Sequence, residues 1–501
     1  MENNRIEIQR YISLCVGVLG LVFCGIINGF NIYAVALKQT FNYTQTELEY
    51  IAASGIVGSE LTSYFAGIAI DRFGPRSTCV AAAVLTCSCF SLMWMTTKFI
   101  SFFASRTWII CLMYFMASSG CCFTNMVCMG TISLNFEGKH RGKIVGFASA
   151  VYGSSPLIYA AIYQGFFVSG HITDEQNQNI ADFFILLSIW AVIANVLGAG
   201  FLKIMPLEPA STPLLEMQDS IETNHDKDMS LTPIETNNDN EKLEKGDEDL
   251  TNAKNNTSNE KTPILQNDLD SNKNTPTDKI DIKTDTDITC FQMVKTLEFH
   301  FLLWTVIIIK GIGLTFTANI TTIAKSAHLE KASSTLIIII PISNTLARFF
   351  GGLIPDIFKQ KLSFIPTSSL LLLASFISMT VQVLLVFFNQ SYIGLVCLSI
   401  ISSIPTGLVS VLMVIIILEL LGRSDFSQKY GLVLTVAGIA AFPFGKIFGL
   451  IYENNSIAGS RLCYGVECSR WSYVINAIFA LLATLLSAAL VRAEHIKSKA
   501  S

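Results

Sequence analysis

The sequence predicts an all-α membrane protein with twelve transmembrane helices in two pseudo-symmetric six-helix bundles. Three observations carry that expectation. Of the 501 residues, 51% are hydrophobic and only 14% are charged, whereas a soluble domain keeps roughly a quarter of its residues charged. The apolar runs last about 20 residues or more, the length a helix needs to cross hydrocarbon. Charge is also segregated. Residues 206–297 hold 20 of the 38 acidic and 9 of the 34 basic side chains, a local balance of 9 − 20 = −11, which leaves 25 − 18 = +7 for the rest of the chain. A soluble enzyme, a disordered scaffold and a nucleic-acid binder all fit this distribution badly. A β-barrel is excluded because its strands alternate in segments of about 10 residues. In lipid, unbroken apolar runs must be helices so that the backbone can satisfy its own hydrogen bonds.

Charges and turn residues bound each span. Helix 1 is expected over 11–37, between Arg10 and Lys38, and helix 2 over 48–70, between Glu47 and Asp71. Helix 3 (78–98) follows Arg76, helix 4 (107–135) follows Arg106 and helix 5 (144–168) follows Lys143. Helix 6 (181–205) runs up to the acidic segment. Helix 7 (298–322) begins after Lys295, helix 8 (333–355) after Lys331 and helix 9 (362–388) after Lys361. Helix 10 (392–421) stops before Arg423, helix 11 (432–452) lies between Lys429 and Glu453, and helix 12 (471–492) between Arg470 and Arg492.

This divides the chain into a first bundle (1–205), an acidic loop (206–297), a second bundle (298–493) and a short tail (494–501). The loop is too polar to offset the entropy of ordering and reads as a disordered tether. Its Thr232-Pro233 and Thr262-Pro263 pairs are candidate phosphorylation sites. An even number of spans puts both termini on one side, and the basic residues of the short loops say which. With the termini inside, the cytosolic set is Arg5, Arg10, Arg72, Arg76, Lys139, Arg141, Lys143, Lys359, Lys361, Arg423, Lys429, Arg492, Lys497 and Lys499. The other side has Lys38, Lys98, Arg106, Lys325, Lys331, Arg461 and Arg470. Fourteen against seven puts the termini and the tether in the cytosol. No cleavable leader is expected, since the first apolar run is too long and lacks a clear small-residue cleavage site.

Between helices 2 and 3 the chain reads GIAIDRFGPRST, residues 67–78. This resembles the signature loop of the major facilitator superfamily, G-x-x-x-D-[RK]-x-G-x-[RK], with Gly67, Asp71, Arg72, Gly74 and Arg76 in register. Ser77 stands where the family often has a further basic residue. The physics suits a gate: Gly67 lets helices approach, Asp71 can face a helix N-terminus or a cation, and Gly74 permits a tight turn. A degraded echo at the end of helix 8, Gly352, Pro355 and Asp356 in GGLIPDIFKQK, supports two related halves. Residues 135–164, 318–356 and 430–468 resemble the nodulin-like branch of the superfamily, which neighbours the monocarboxylate-porter-like proteins. The resemblance implies secondary-active or facilitative transport of a small-molecule substrate by alternating access, without a cofactor and by a monomer in the lipid bilayer.

Ionisable groups at bilayer depth are functional candidates by default. Glu60 lies near the middle of helix 2, Lys310 near the middle of helix 7, Arg348 in helix 8 and Lys446 in helix 11. Three cations against one anion make a positive interior, which favours a carboxylate-bearing anion or an amino acid as cargo. In the related monocarboxylate porters a helix 8 arginine is implicated in holding the substrate carboxylate, with an acidic residue one turn earlier. Here Arg348 is the arginine and Asn344 stands at the acidic position, so hydrogen bonding survives there and charge does not. The alternative is that Arg348 pairs with Asp356, two turns on, or reaches the cytosolic interface. Lys310 is too deep to snorkel and either faces the cavity or pairs with an acid; Lys446 can snorkel. Glu60 is the candidate for a co-transported proton or ion, or else a neutral structural group. Asn28 and Asn31 of helix 1, Asn125 of helix 4 and Asn319 of helix 7 are candidate ligands or helix–helix hydrogen bonds.

No Walker loop, metal-ligand spacing or nucleophile elbow appears in the sequence, so no ATP pump, metal site or enzyme is expected. Cys463 and Cys468 share the loop between helices 11 and 12 on the non-cytosolic face, where a disulfide can form; free thiols are the alternative. Sequons at Asn42 and Asn454 share that face. The expected function is a membrane transporter in the plasma membrane or an endomembrane. Alternatives are a sugar, nucleoside or metal-chelate carrier of the same fold, or a receptor or scaffold that uses the acidic tether.

Overall fold

A computed structural model describes residues 2–136, 140–168, 178–205, 288–361, 366–456 and 463–500. The tether's two threonine-proline pairs lie outside the described residues. Among those residues, eleven helices are long and apolar enough to cross a membrane, and one of them, Gln45–Thr96, is 52 residues long. It contains two spans. Gly74 breaks it at φ 80° and ψ 168°, and Pro75 starts the next helix. Glycine takes the left-handed region without a steric cost, and proline is pre-set for a first helical turn. Twelve crossings result: helix 2 (45–73) and helix 3 (75–96) form one tight hairpin.

Helix 4 (Thr107–Asn135) and helix 10 (Tyr392–Leu421) occupy the expected residues, and helix 5 covers Arg141–Phe166. Helix 6 covers Ile180–Phe201 and helix 7 Leu297–Ser326. Helices 8 (Glu330–Lys361) and 11 (Phe426–Asn454) outrun their apolar cores, because a helix continues into water where no residue breaks it. Helix 9 spans Ser368–Phe388. Helix 12 spans Glu467–Ala500, so the expected tail is largely helical. Helix 1 is the larger departure. It runs Glu2–Cys24, tightens into a 3-10 turn over Gly25–Gly29 and resumes at Asn31–Phe41. A β-carbon at Gly25 would collide with the Ser155 hydroxyl of helix 5, so the break lets these two helices touch.

Helix 1 packs on helices 4, 5 and 6, and the helix 2–3 hairpin packs on helices 4 and 6. In the second set, helix 7 packs on 11 and 12, helix 9 on 10 and 12, and helix 8 on 10. The sets meet mainly where helix 2 lies on helix 11 and helix 5 on helix 8. Large apolar side chains such as Val84, Trp108, Phe387 and Ile478 are exposed on the outer faces, as expected where the solvent is lipid.

The ends of the chain define one face of the molecule, called here the terminal face. There the buried Asn135 amide donates to the Lys203 carbonyl at 2.8 Å and accepts from the Met205 amide at 2.8 Å, which ties helix 4 to the end of helix 6. Asn135→Ala orphans both groups and is expected to cost ~1–3 kcal/mol, read as a lower melting temperature of the purified protein. On the opposite face Cys463 and Cys468 form a disulfide. The loop they close docks on the end of helix 7: the Gly465 amide donates to the Ser326 carbonyl at 2.9 Å, and Tyr464 stacks on His328.

Candidate substrate cavity and gate

A cavity of about 310 Å³ lies between the two sets, lined by helices 1, 2, 4, 5, 7, 8, 10 and 11. The 3-10 turn of helix 1 delivers Asn28 to it, helix 2 Glu60, helix 4 Asn125, helix 7 Lys310, and helix 8 Asn344 and Arg348. Six residues picked out along 320 positions thus converge on one space. Asn31 is exposed but outside the lining, and Asn319 donates back to the Thr315 carbonyl of its own helix at 2.9 Å. Lys446 is exposed on helix 11 and does not line the cavity.

Arg348 is held by neutral groups. Its Nε donates to Asn344 Oδ1 at 2.8 Å, and Nη1 donates to the Ser149 hydroxyl of helix 5 at 3.3 Å. The guanidinium lies 6.0 Å from the centre of the Tyr152 ring, at the edge of cation–π range. Gly153 leaves the room: a β-carbon there would sit 3.1 Å from the arginine side chain. The alternative pairing with Asp356 does not form, and among the described residues no carboxylate lies within ion-pair distance of Arg348. Asn344 one turn earlier on the same face takes the arginine's hydrogen bond without neutralising it.

Lys310 is different. Its ammonium lies 3.9 Å from Glu60 Oε2, with side-chain exposures of 12% and 24%. That oxygen takes no hydrogen bond. The attraction is therefore Coulombic across a gap, and it runs from helix 7 to helix 2, from one set to the other. The three-to-one excess of cations expected for the interior becomes two to one in the cavity, because Lys446 is not there. Arg348 is left as its unbalanced charge.

At the terminal end of the cavity two contacts of the same kind tie the sets together. Asp71 Oδ2 accepts from the Gln428 amide at 2.8 Å, the third residue of helix 11. Asp356 accepts from the Gly142 and Lys143 amides at 3.0 and 2.7 Å, the second and third residues of helix 5. Each carboxylate meets the free N–H groups and positive end of a helix from the other set. The glycines four residues earlier make this possible. A β-carbon at Gly67 would collide with the Ser427 carbonyl, and one at Gly352 with the Gly142 carbonyl. The Arg423 guanidinium adds a third tie, donating to the Leu134 carbonyl. Arg72 and Arg76 are exposed on the same face.

Sequence reasoning missed Ser149, Tyr152 and Tyr430. Tyr430 lines the cavity within electrostatic reach of both Arg348 and Glu60. A tyrosine inside an apolar helix was the available signal, since its hydroxyl requires a partner or water.

With this geometry in hand, the chain can be compared with known proteins. The model of the NFD4 C-terminal domain matches residues 284–498. The probable transporter mch1 of Emericella nidulans is 22% identical over 216 residues, covering 41% of this chain and 34% of that protein. The chain therefore aligns with about a third of that relative's length. Among solved structures, the proton:xylose symporter XylE bound to 6-bromo-6-deoxy-D-glucose superposes with a TM-score of 0.60 at 14% identity, covering 96% of this chain and 95% of that one. The E. coli fucose:proton symporter FucP superposes with a TM-score of 0.54 at 10% identity, covering 95% and 99%. At such identities the likeness concerns the fold. The family model of the Major Facilitator Superfamily matches residues 16–384, most of the chain, and the protein belongs to that superfamily of membrane transporters.

Proposed function

We propose that this transporter carries a small carboxylate-bearing solute, an organic anion or an amino acid, and that Arg348 receives the carboxylate. The observation that supports the reading most is a guanidinium in the central cavity whose hydrogen bonds, among the described residues, go to Asn344 and Ser149. Both partners are neutral, so the charge awaits a counter-ion, and the planar fork matches a carboxylate. Asn28 and Asn125 supply hydrogen bonds to the rest of the solute. Glu60 is the only carboxylate in the lining among the described residues and so the residue to which a co-transported proton goes.

In this reading the six-helix halves, 1–205 and 298–493, rock about the cavity. The helix 2–11 and 5–8 contacts part to open the terminal face. That face is the cytosolic one by the loop charges. The resemblance to the nodulin-like branch supports an organic solute.

Uptake of labelled carboxylates, amino acids, sugars and cations into liposomes holding the purified protein tests the reading. Saturable uptake of one or more carboxylate-bearing solutes is expected, accelerated by an inward proton gradient. Uptake restricted to sugars or cations would overturn it.

A further inference from the structure

Among the described residues, Glu60, Lys310 and Arg348 are the acid and the two bases that line the cavity, and their pairing bears on which carboxylates fit. This inference rests on Arg348 as the carboxylate site and narrows the substrate class. We propose that the Glu60–Lys310 pair is a charge filter: Lys310 faces the one carboxylate that lines the cavity among the described residues, so the cavity accepts a solute with one net negative charge and turns away its zwitterionic, amino-bearing counterpart.

The argument is one of charge and position. Two cations and one anion line the cavity, and the anion already faces a cation at 3.9 Å. A monoanion at Arg348 balances the remaining charge. An amino acid at Arg348 brings an ammonium as well, and that ammonium needs a carboxylate in a site where unpaired charge is costly. Glu60 is the sole candidate in the lining, and Lys310 is already there. Protonating Glu60 does not help the zwitterion, because it removes the negative charge that the ammonium would have to face. It does suit an anion, since a proton at Glu60 and a monoanion at Arg348 enter together with no change in the cavity's total charge. Glu60 is also fixed in place: a β-carbon at Gly438 of helix 11 would lie 2.6 Å from Glu60 Oε2, so this glycine lets the carboxylate lie against helix 11. Lys310 comes from the facing set, on a helix that contributes Gly313, Leu314 and Thr317 to the lining but no second charge.

The test uses full-length protein in liposomes and a matched pair of labelled probes, a short monocarboxylate and the α-amino acid with the same carbon skeleton. Wild type is expected to take up the acid and to discriminate against the amino acid. In Lys310→Met the acid-to-amino-acid uptake ratio, measured at neutral pH where the amino acid is a zwitterion, is expected to fall by about 10-fold or more, since a tenfold change corresponds to ~1.4 kcal/mol. The double variant Glu60→Gln/Lys310→Met leaves Arg348 as the only charge, and preference for the acid is expected to return. That rescue also shows that the single variant's loss does not come from misfolding.

An unchanged ratio in Lys310→Met, equal wild-type uptake of both probes, or a double variant that behaves like the single one would each overturn the filter. Arg348→Ala is run in parallel. If acid uptake does not depend on Arg348, the carboxylate reading itself fails; if it does and the ratio ignores Lys310, only the filter fails.

Discussion

Arg348→Ala is expected to lower uptake of the carried carboxylate by about 10- to 100-fold at equal protein amount, the span of the ~1.5–3 kcal/mol carried by a hydrogen bond to a charged group. The variant removes the cavity's unbalanced cation along with both donors that now meet Asn344 and Ser149. Arg348→Lys keeps a charge and gives up the planar fork, so it is expected to fall between wild type and alanine. Because no carboxylate in the described structure depends on Arg348, neither change strands a buried anion, and expression and melting temperature are expected to hold. Uptake and thermal stability measured on the same preparations separate ligation from architecture. A variant that unfolds would point to a structural arginine, and one that transports normally would remove it from the site.

Asp356→Ala is expected to have the second largest effect, and on conformation more than on binding. Its carboxylate holds two N–H groups of helix 5 across the boundary between the sets, whereas Asp71 accepts from one N–H of helix 11. Losing it removes ~1–3 kcal/mol from the state closed at the terminal face, a shift of about 5- to 150-fold toward opening. Cys122 lines the cavity and serves as a native reporter. A charged, impermeant thiol reagent applied from the terminal face should modify Cys122 slowly in wild type and faster in Asp356→Ala, followed by peptide mass spectrometry. Asp71→Ala should move the rate the same way by less. An unchanged rate in Asp356→Ala, or a larger effect in Asp71→Ala, would show that the two caps do not hold the closed state in this proportion.

Much of this was legible in the sequence because lipid imposes simple constraints. Helices 4 and 10 match their apolar runs residue for residue; Ser391 caps the start of helix 10 and Gly422, at φ 76°, ends it. The contacts between the sets were legible through Gly67 and Asp71 and their echo at Gly352 and Asp356, where four-residue spacing puts glycine and carboxylate on one helical face. The partners were not. Nothing in the chain around Gln428 or Gly142 announces that a foreign carboxylate caps those helices, because the contact joins residues more than 200 positions apart. The break in helix 1 was hidden for a related reason: Gly25 is a packing glycine for Ser155, and hydropathy cannot see packing. Lys310 and Glu60 were read separately as embedded charges, and only their 3.9 Å approach shows that one answers the other. Side-chain identity located the cavity; the distribution of its charge required coordinates.

A carboxylate held at Arg348 is recognised by its charge and not by its shape. Equilibrium binding of a short monocarboxylate and of its primary amide to the purified protein tests this most directly, with wild type and Arg348→Ala side by side. The two ligands share size and shape and differ in charge. Wild type is expected to bind the acid at least about 10-fold more tightly than the amide, the discrimination that a charge-assisted pair provides, and Arg348→Ala is expected to abolish that difference. Equal binding of acid and amide by wild type, or a preference for the acid that survives in Arg348→Ala, would contradict the account.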